Sequence, residues 1–83
     1  MKKRNGYQIQ HVAGRMNAMS EDQNQTYASL EEARDWADCV AEEIETYNAE
    51  IDPDITPPLR KEDYVIAYYV DGVERGEFPL FVK

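Results

Sequence analysis

Residues 29–51 read SLEEARDWADCVAEEIETYNAEI, and this stretch decides the fold. Its apolar residues recur at spacings of three and four, which places them on one face of an α-helix with 3.6 residues per turn. They are Leu30, Ala33, Ala37, Val40, Ile44, Tyr47 and Ile51. Ser29 and Glu32 have the form of a capping box, in which each side chain accepts a hydrogen bond from the other residue's backbone N–H. Because Pro53 disfavours a helical Asp52, the sequence predicts one helix over residues 29–51.

Short β-strands are predicted on either side of this helix. Residues 7–13 alternate as a strand, with Tyr7 and Ile9 on one face. Asp71-Gly72 is a dipeptide that favours a two-residue type I′ turn, so residues 64–82 are predicted to form a hairpin. Together these segments predict an α+β fold: a single small domain in β-α-β-β order, with one long amphipathic helix packed on a mostly antiparallel sheet.

Pairing Val70 with Val73 across that turn defines two faces of the hairpin. We assign one face to the core because its small residues Ala67 and Gly76 allow a helix to approach closely at Ala37. That predicted core face carries Val65, Ala67, Tyr69, Phe78, Leu80 and Val82. The predicted outer face carries Tyr64, Ile66, Tyr68, Val70, Val73, Arg75, Glu77 and Phe81. This outer face is more apolar than a solvated face needs to be.

Length and composition restrict the class of protein. Eighty-three residues allow one domain over residues 1–83. No run approaches the roughly 18 to 20 apolar residues of a membrane helix, and the basic N-terminal tip at residues 1–6 is not followed by an apolar signal core. The single cysteine, Cys39, suits a reducing compartment. We therefore expect a soluble, cytoplasmic protein without a membrane segment or a cofactor.

Residues that could support catalysis or bind a metal do not form a recognisable set. Cys39 would need a nearby base, but His11 lies on the predicted strand while Cys39 lies on the polar side of the helix. Glu50, Asp52 and Asp54 could hold a divalent cation, yet the ligand series of an EF-hand is absent and these acids suit a turn better. The sequence predicts a protein that is not an enzyme and has no metal site.

The negative charge is concentrated in the middle of the chain. The formal net charge is −8, and residues 21–54 hold twelve acids with Arg34 as the single base. Five of these acids form a second helical stripe, which we call the acidic stripe: Glu31, Asp35, Asp38, Glu42 and Glu45. A rise of about 1.5 Å per residue sets one carboxylate about every 5 Å, near the spacing of phosphates along a nucleic-acid strand. Such a field repels nucleic acid directly and attracts basic protein surfaces.

Two interpretations of the acidic stripe are open. Neighbouring like charges at these spacings cost about 0.2–0.5 kcal/mol per pair, and a stripe that accepts this cost could present phosphate-like charge to a basic groove. Alternatively, the stripe is a solvated face that keeps a small protein soluble, which is common in acidic helices. Trp36 lies beside the apolar stripe, where an edge of the core is favoured over a contact anchor.

In format, the chain resembles the small acidic phage accessory proteins that include anti-CRISPR inhibitors. The features that carry this resemblance are the short single domain, the β-α-β-β order and the charged helix from Glu31 to Glu45. No residue motif is part of it. The resemblance implies inhibition by binding, often at a nucleic-acid groove of a nuclease or a CRISPR effector complex.

These patterns support two hypotheses of function. The first is a non-enzymatic protein-binding domain, a nucleic-acid mimic whose acidic stripe occupies a basic surface of a partner protein, with Tyr64 and Tyr68 as further contacts. The second is a structural or regulatory homodimer that buries the outer sheet face. The proposed centre of that dimer contact is Tyr64, Ile66, Tyr68, Val70 and Phe81.

Overall fold

The protein forms a three-stranded antiparallel sheet with two helices against it, in a computed structural model that describes residues 3–81. The elements in chain order are β1 (Gly6–His11), α1 (Leu30–Arg34), α2 (Ala37–Glu50), a 3-10 turn (Lys61–Asp63), β2 (Tyr64–Val70) and β3 (Val73–Pro79). The strand order is β1-β2-β3. The predicted α+β class with an antiparallel sheet is confirmed. Lys2 of the predicted basic tip and Val82 of the predicted core face lie outside the described residues.

The helical region begins where the capping residues predict. The Glu32 N–H donates to Ser29 Oγ at 3.0 Å, as expected for a capping box. The reciprocal bond differs, because the Glu32 carboxylate accepts the N–H of Ala28 at 3.2 Å and not that of Ser29. This arrangement satisfies the Glu32 N–H, which the first turn of the helix would otherwise leave unpaired, and the N–H of Ala28, which precedes the N-cap.

The predicted helix over residues 29–51 is interrupted at Asp35 and Trp36. There the Trp36 N–H donates to the Ala33 carbonyl, three residues back, at 3.2 Å. Both Asp35 and Trp36 keep right-handed helical backbone angles. The backbone therefore forms one turn of the 3-10 type and then continues as an α-helix, so the helical spacing of the residues continues across the interruption.

The helices pack on the sheet face that carries Ile9 and Ile66. These two residues are cross-strand partners and are fully buried. The buried core consists of Ile9, Ala33, Val40, Ile44, Ile66 and Leu80. Ala67, next to Ile66 on β2, points to the opposite face of the sheet. The prediction that Ala37 faces Ala67 is therefore wrong.

The predicted outer face of the hairpin is also wrong, since Ile66 belongs to the core. Tyr64 packs against that core from the start of β2, and Tyr68 stacks on Tyr7 with ring centroids 4.6 Å apart. A homodimer centred on Ile66 would have to expose a side chain that the helices cover. Ile66 therefore cannot belong to the proposed dimer contact, whereas the other four residues proposed for it are half-buried.

A β-bulge in β3 explains part of this difference. Val70 pairs with Val73 as predicted, but Tyr68 pairs with Gly76, so Arg75 is an extra residue. A shift of one residue moves every later side chain of a strand to the other face. Phe78 consequently pairs with Ile66 and packs against the core from that side. The predicted turn itself is correct, because Asp71 and Gly72 have φ values of +50° and +80°.

The sheet face away from the helices is closed by a polar network. Gln8 and Gln10 are 1% and 0% exposed there. The Gln8 Nε2 donates to the carbonyls of Gln23 and Gln25, each at 2.9 Å. The Gln10 Nε2 donates to the Tyr69 hydroxyl at 2.8 Å. Neither face of the sheet is left as an open apolar surface.

The loop between β1 and α1 covers the outer edge of β1. Tyr7 and Tyr27 exchange two backbone hydrogen bonds, at 2.9 and 2.7 Å, and Gln10 forms a bridge with Asn17. Gly6 has a φ of +118°, and a Cβ there would lie 2.5 Å from the Tyr27 carbonyl oxygen. Glycine is therefore required at the start of β1. The strand ends at His11, two residues before the predicted end.

The connection after α2 folds back on the domain. The Leu59 N–H donates to Asn48 Oδ1 at 2.8 Å, and Asn48 Nδ2 donates to the Leu59 carbonyl at 2.9 Å. Leu59 packs against the core, whereas Ile55 is 81% exposed. Within residues 3–81, no helix has both the length and the apolar character needed to cross a membrane.

Candidate protein-binding surface

The acidic stripe lies on the solvent side of α1 and α2. Glu31 is in the first turn of α1, Asp35 is its C-terminal cap, and Asp38 is in the first turn of α2. Glu42 and Glu45 follow on α2, and all five residues are exposed. Across residues 3–81, the ion pairs found do not involve any of these five carboxylates. The stripe therefore presents unneutralised charge to solvent.

The break at Asp35 and Trp36 divides the acidic stripe into two parts. Asp38, Glu42 and Glu45 share the uninterrupted helix α2, over which a rise of about 1.5 Å per residue spaces them along roughly 10 Å. Negative charge is favourable at the N-terminus of a helix and unfavourable toward its C-terminus. Since α2 has no basic residue in its last turn, the acids in its second half receive no compensation from the helix itself.

Two of the basic residues lie on the other side of the sheet. Arg4 donates to the Tyr69 hydroxyl at 3.1 Å, with its guanidinium carbon 5.1 Å from the centre of that ring. Arg15 forms an ion pair with Glu77. Tyr69 and Glu77 both belong to the sheet face that turns away from the helices. Arg4 and Arg15 therefore lie across the sheet from the acidic stripe. Arg34 is on α1 itself, but its guanidinium donates to the Pro79 carbonyl at 3.3 Å.

The predicted tyrosine contacts, Tyr64 and Tyr68, are both on β2. Burial raises the pKa of the Tyr64 hydroxyl above its usual value, and the negative charge of Glu43 on α2 adds to this effect. Tyr64 also lines a groove of about 570 Å³ between the start of β2 and the end of β3. Tyr68 is half-buried beside Tyr7. The predicted contact residues therefore come from two parts of the fold, the tyrosines from β2 and the five acids from α1, its cap and α2.

A groove of about 490 Å³ along α2 was not predicted from the sequence. Its lining residues are Cys39, Glu42, Glu43, Thr46, Tyr47 and Glu50, and we call it the α2 groove. Tyr47, which was assigned to the apolar stripe, is 40% exposed in it. A signal was present, because Trp36, Cys39, Glu43, Tyr47 and Glu50 recur at spacings of three and four, which defines a separate helical face.

Trp36 extends this helical face by one turn beyond Cys39. It is 41% exposed, so it is not the core edge that the sequence favoured. Its ring stacks on Tyr27, with centroids 6.2 Å apart and an interplanar angle of 27°. Burial raises the pKa of Tyr27, and Glu32 adds to the effect. The stack holds the indole in place while one side stays open to solvent.

Among the residues considered for catalysis or metal binding, His11 and Asp52 have local structural partners. His11 Nδ1 accepts the Ala13 N–H at 3.2 Å, and the His11 ring meets Tyr64 edge-on at 5.0 Å. Cys39 is an exposed free thiol. Asp52 Oδ1 accepts the Asp54 N–H at 3.0 Å, as in a turn. Over the described part of the chain, no three His, Cys, Asp or Glu side chains converge as a metal site would require.

No protein-family model, curated protein or solved structure matches this chain. Function must therefore be inferred from the surface described above.

Proposed function

We propose that the protein is a non-enzymatic inhibitor that binds a basic, nucleic-acid-binding surface of a partner protein through its acidic stripe. The observation that carries this proposal is that the ion pairs of residues 3–81 leave out all five carboxylates of the acidic stripe. Five exposed carboxylates lack basic partners on the helical layer, while Arg4 and Arg15 interact across the sheet from it.

The proposed mechanism is competition for a site that nucleic acid would occupy. A groove lined by Lys and Arg attracts a dense line of negative charge, and carboxylates on a helix supply that charge without a sugar-phosphate backbone. Association of such surfaces is fast, and it slows with added salt as the Debye length falls to about 8 Å at physiological ionic strength. Asp38, Glu42 and Glu45 on α2 form the centre of the contact.

The class of partner remains part of this proposal. A nuclease or a CRISPR effector complex has a basic groove of the required kind, and phage inhibitors of this format act on such complexes. A cytoplasmic location belongs to the same proposal and agrees with the exposed free thiol of Cys39. Direct binding of nucleic acid is not expected from a chain with a net charge of −8.

Charge reversal in pairs tests this proposal. Immobilised wild-type protein and the Glu42→Lys/Glu45→Lys variant are incubated with a nuclease-treated cell lysate, and the captured proteins are identified by mass spectrometry. The matched control is Glu21→Lys/Asp54→Lys, which changes the net charge equally at exposed positions outside α1 and α2. We expect capture by the wild type and the control and its loss in the Glu42→Lys/Glu45→Lys variant.

The captured proteins should also elute as salt is raised, and they should be proteins that bind nucleic acid. Equal capture by both variants would mean that the acidic stripe is a solvated face. Circular dichroism of each variant separates a loss of binding from a loss of folding.

A further inference from the structure

We propose that the α2 groove, together with Trp36, is an arginine-reading surface that binds a basic protein segment through stacked guanidinium groups. This inference rests on the proposed function and adds to the acidic stripe a neighbouring face of α2, which shares Glu42 with it. Trp36 and Tyr47 supply the aromatic faces, and Glu43 lies between them on the same helical face.

The exposure of these aromatic residues is the first argument. Trp36 and Tyr47 are 41% and 40% exposed, and both residue types are enriched where proteins contact one another. Eleven residues of helix separate them, which corresponds to roughly 16 Å along the axis. That length suits two side chains of one extended or helical segment. The stack of Trp36 on Tyr27 also fixes the indole before binding, which reduces the ordering that a partner would have to impose.

Charge complementarity is the second argument, and it specifies the occupant. The α2 groove contains Glu42, Glu43 and Glu50 with no basic side chain in its lining. A guanidinium group stacks on an aromatic ring and donates to a carboxylate at the same time, whereas an ammonium group is a point charge without a planar face. An apolar partner would leave the three carboxylates unpaired. The chemistry therefore favours an arginine-bearing basic segment over an apolar helix.

Intrinsic fluorescence provides a direct readout because Trp36 is the only tryptophan. The probes are two acetylated peptides of eight residues, octa-arginine and octa-lysine, titrated into the full chain. We expect both to bind with the salt dependence of an acidic surface. The arginine peptide should bind about 2- to 5-fold more tightly for each stacked guanidinium, and it should perturb the Trp36 emission more strongly.

Three further measurements locate the contact. In Tyr47→Leu the preference for arginine over lysine should fall while salt-dependent binding of both peptides remains. Trp36→Leu, followed by calorimetry, should behave in the same way. Alkylation of Cys39 with iodoacetamide places extra atoms in the α2 groove and should reduce the preference too. The matched control is Ile55→Ser, which removes an 81% exposed apolar side chain elsewhere and should change nothing.

The outcomes separate this inference from the proposed function. Equal binding of both peptides, or a preference that survives in Tyr47→Leu and Trp36→Leu, would overturn the arginine-reading surface and leave the acidic stripe as the contact. If neither peptide bound, both the arginine-reading surface and the proposed function would be overturned. A wild-type dimer in analytical ultracentrifugation that Tyr47→Leu dissociates would assign the groove to a second copy of the chain and would equally refute the inference.

Discussion

The substitution Ile66→Ala tests which face of the sheet the helices cover. Ile66 is fully buried, with Ile9 opposite it on β1 and Phe78 opposite it on β3. Val40 and Ile44 of α2 belong to the same buried core. Truncation to alanine therefore removes atoms that are enclosed on the sheet side by two neighbouring strands and on the other side by a helix.

The size of the effect follows from the atoms removed. Three carbon groups at about 0.8 kcal/mol each account for roughly 2.4 kcal/mol of lost burial. Strand partners on both sides limit collapse around the vacancy, and the residual cavity brings the cost to about 3–4 kcal/mol, within the range seen for such truncations. The total stability of a domain of this length is on the order of 4–12 kcal/mol. We therefore expect Tm to fall by at least about 12 °C.

Thermal and urea unfolding followed by circular dichroism measure this cost. Val73→Ala is the matched control, because Val73 is 54% exposed beside the hairpin turn. Its truncation should cost less than about 1 kcal/mol. Similar small effects for Ile66→Ala and Val73→Ala would refute the reasoning, because they would place the helices on the face that carries Ala67.

Three other perturbations test the remaining supports of the fold. Gly6→Ala should destabilise the domain by about 1–3 kcal/mol in urea unfolding, because the new Cβ would meet the Tyr27 carbonyl and the positive φ disfavours alanine; unchanged stability would mean that the β1 edge is not covered in this way. Asn48→Ala should cost about 1–3 kcal/mol by removing both hydrogen bonds to Leu59, and amide exchange should accelerate at the Leu59 N–H but not at Ile66. Because the pKa of Tyr64 is raised in the folded state, the protonated hydroxyl contributes fully to the stability of the domain below about pH 10. That contribution is lost as pH rises above this value. Glu43→Gln should lower the pKa of Tyr64 in an ultraviolet titration of the phenolate. An unchanged pKa would mean that the charge of Glu43 does not act on Tyr64.

The helical region was the most predictable part of the fold. The Ser29 cap corresponds to the structure, and Ala33, Val40 and Ile44 of the apolar stripe are buried as their spacing predicts, whereas Tyr47 of the same stripe is exposed. The interruption at Asp35 and Trp36 could not be predicted, because neither residue is Gly or Pro and both keep helical angles. Exposure of the acidic stripe could be predicted for the same reason, since it is set by the period of the helix.

The packing face of the hairpin could not be predicted from alternation. Val65, Ala67 and Tyr69 alternate with Tyr64, Ile66 and Tyr68, so both faces are apolar. The polar network of Gln8 and Gln10 buries the second face through the loop before α1, a long-range arrangement that local sequence does not reveal. The bulge at Arg75 adds a shift for which the hairpin turn gives no signal.

The α2 groove was missed because Tyr47 fits the apolar stripe by spacing alone. Its exposure depends on which residues of the rest of the chain pack against α2, and the spacing of residues within the helix does not encode that. Trp36 was placed at the core edge for the same reason, although Tyr27 supports only one side of its ring.

Displacement of nucleic acid from the captured partner tests the central claim most directly. A fluorescently labelled oligonucleotide is bound to the purified partner, and its anisotropy is followed as wild-type protein or the Glu42→Lys/Glu45→Lys variant is added at several salt concentrations. The account predicts that the wild type releases the oligonucleotide, that its apparent affinity falls as salt rises, and that the variant releases none. A stable ternary complex, in which the partner holds this protein and the oligonucleotide together, would contradict it.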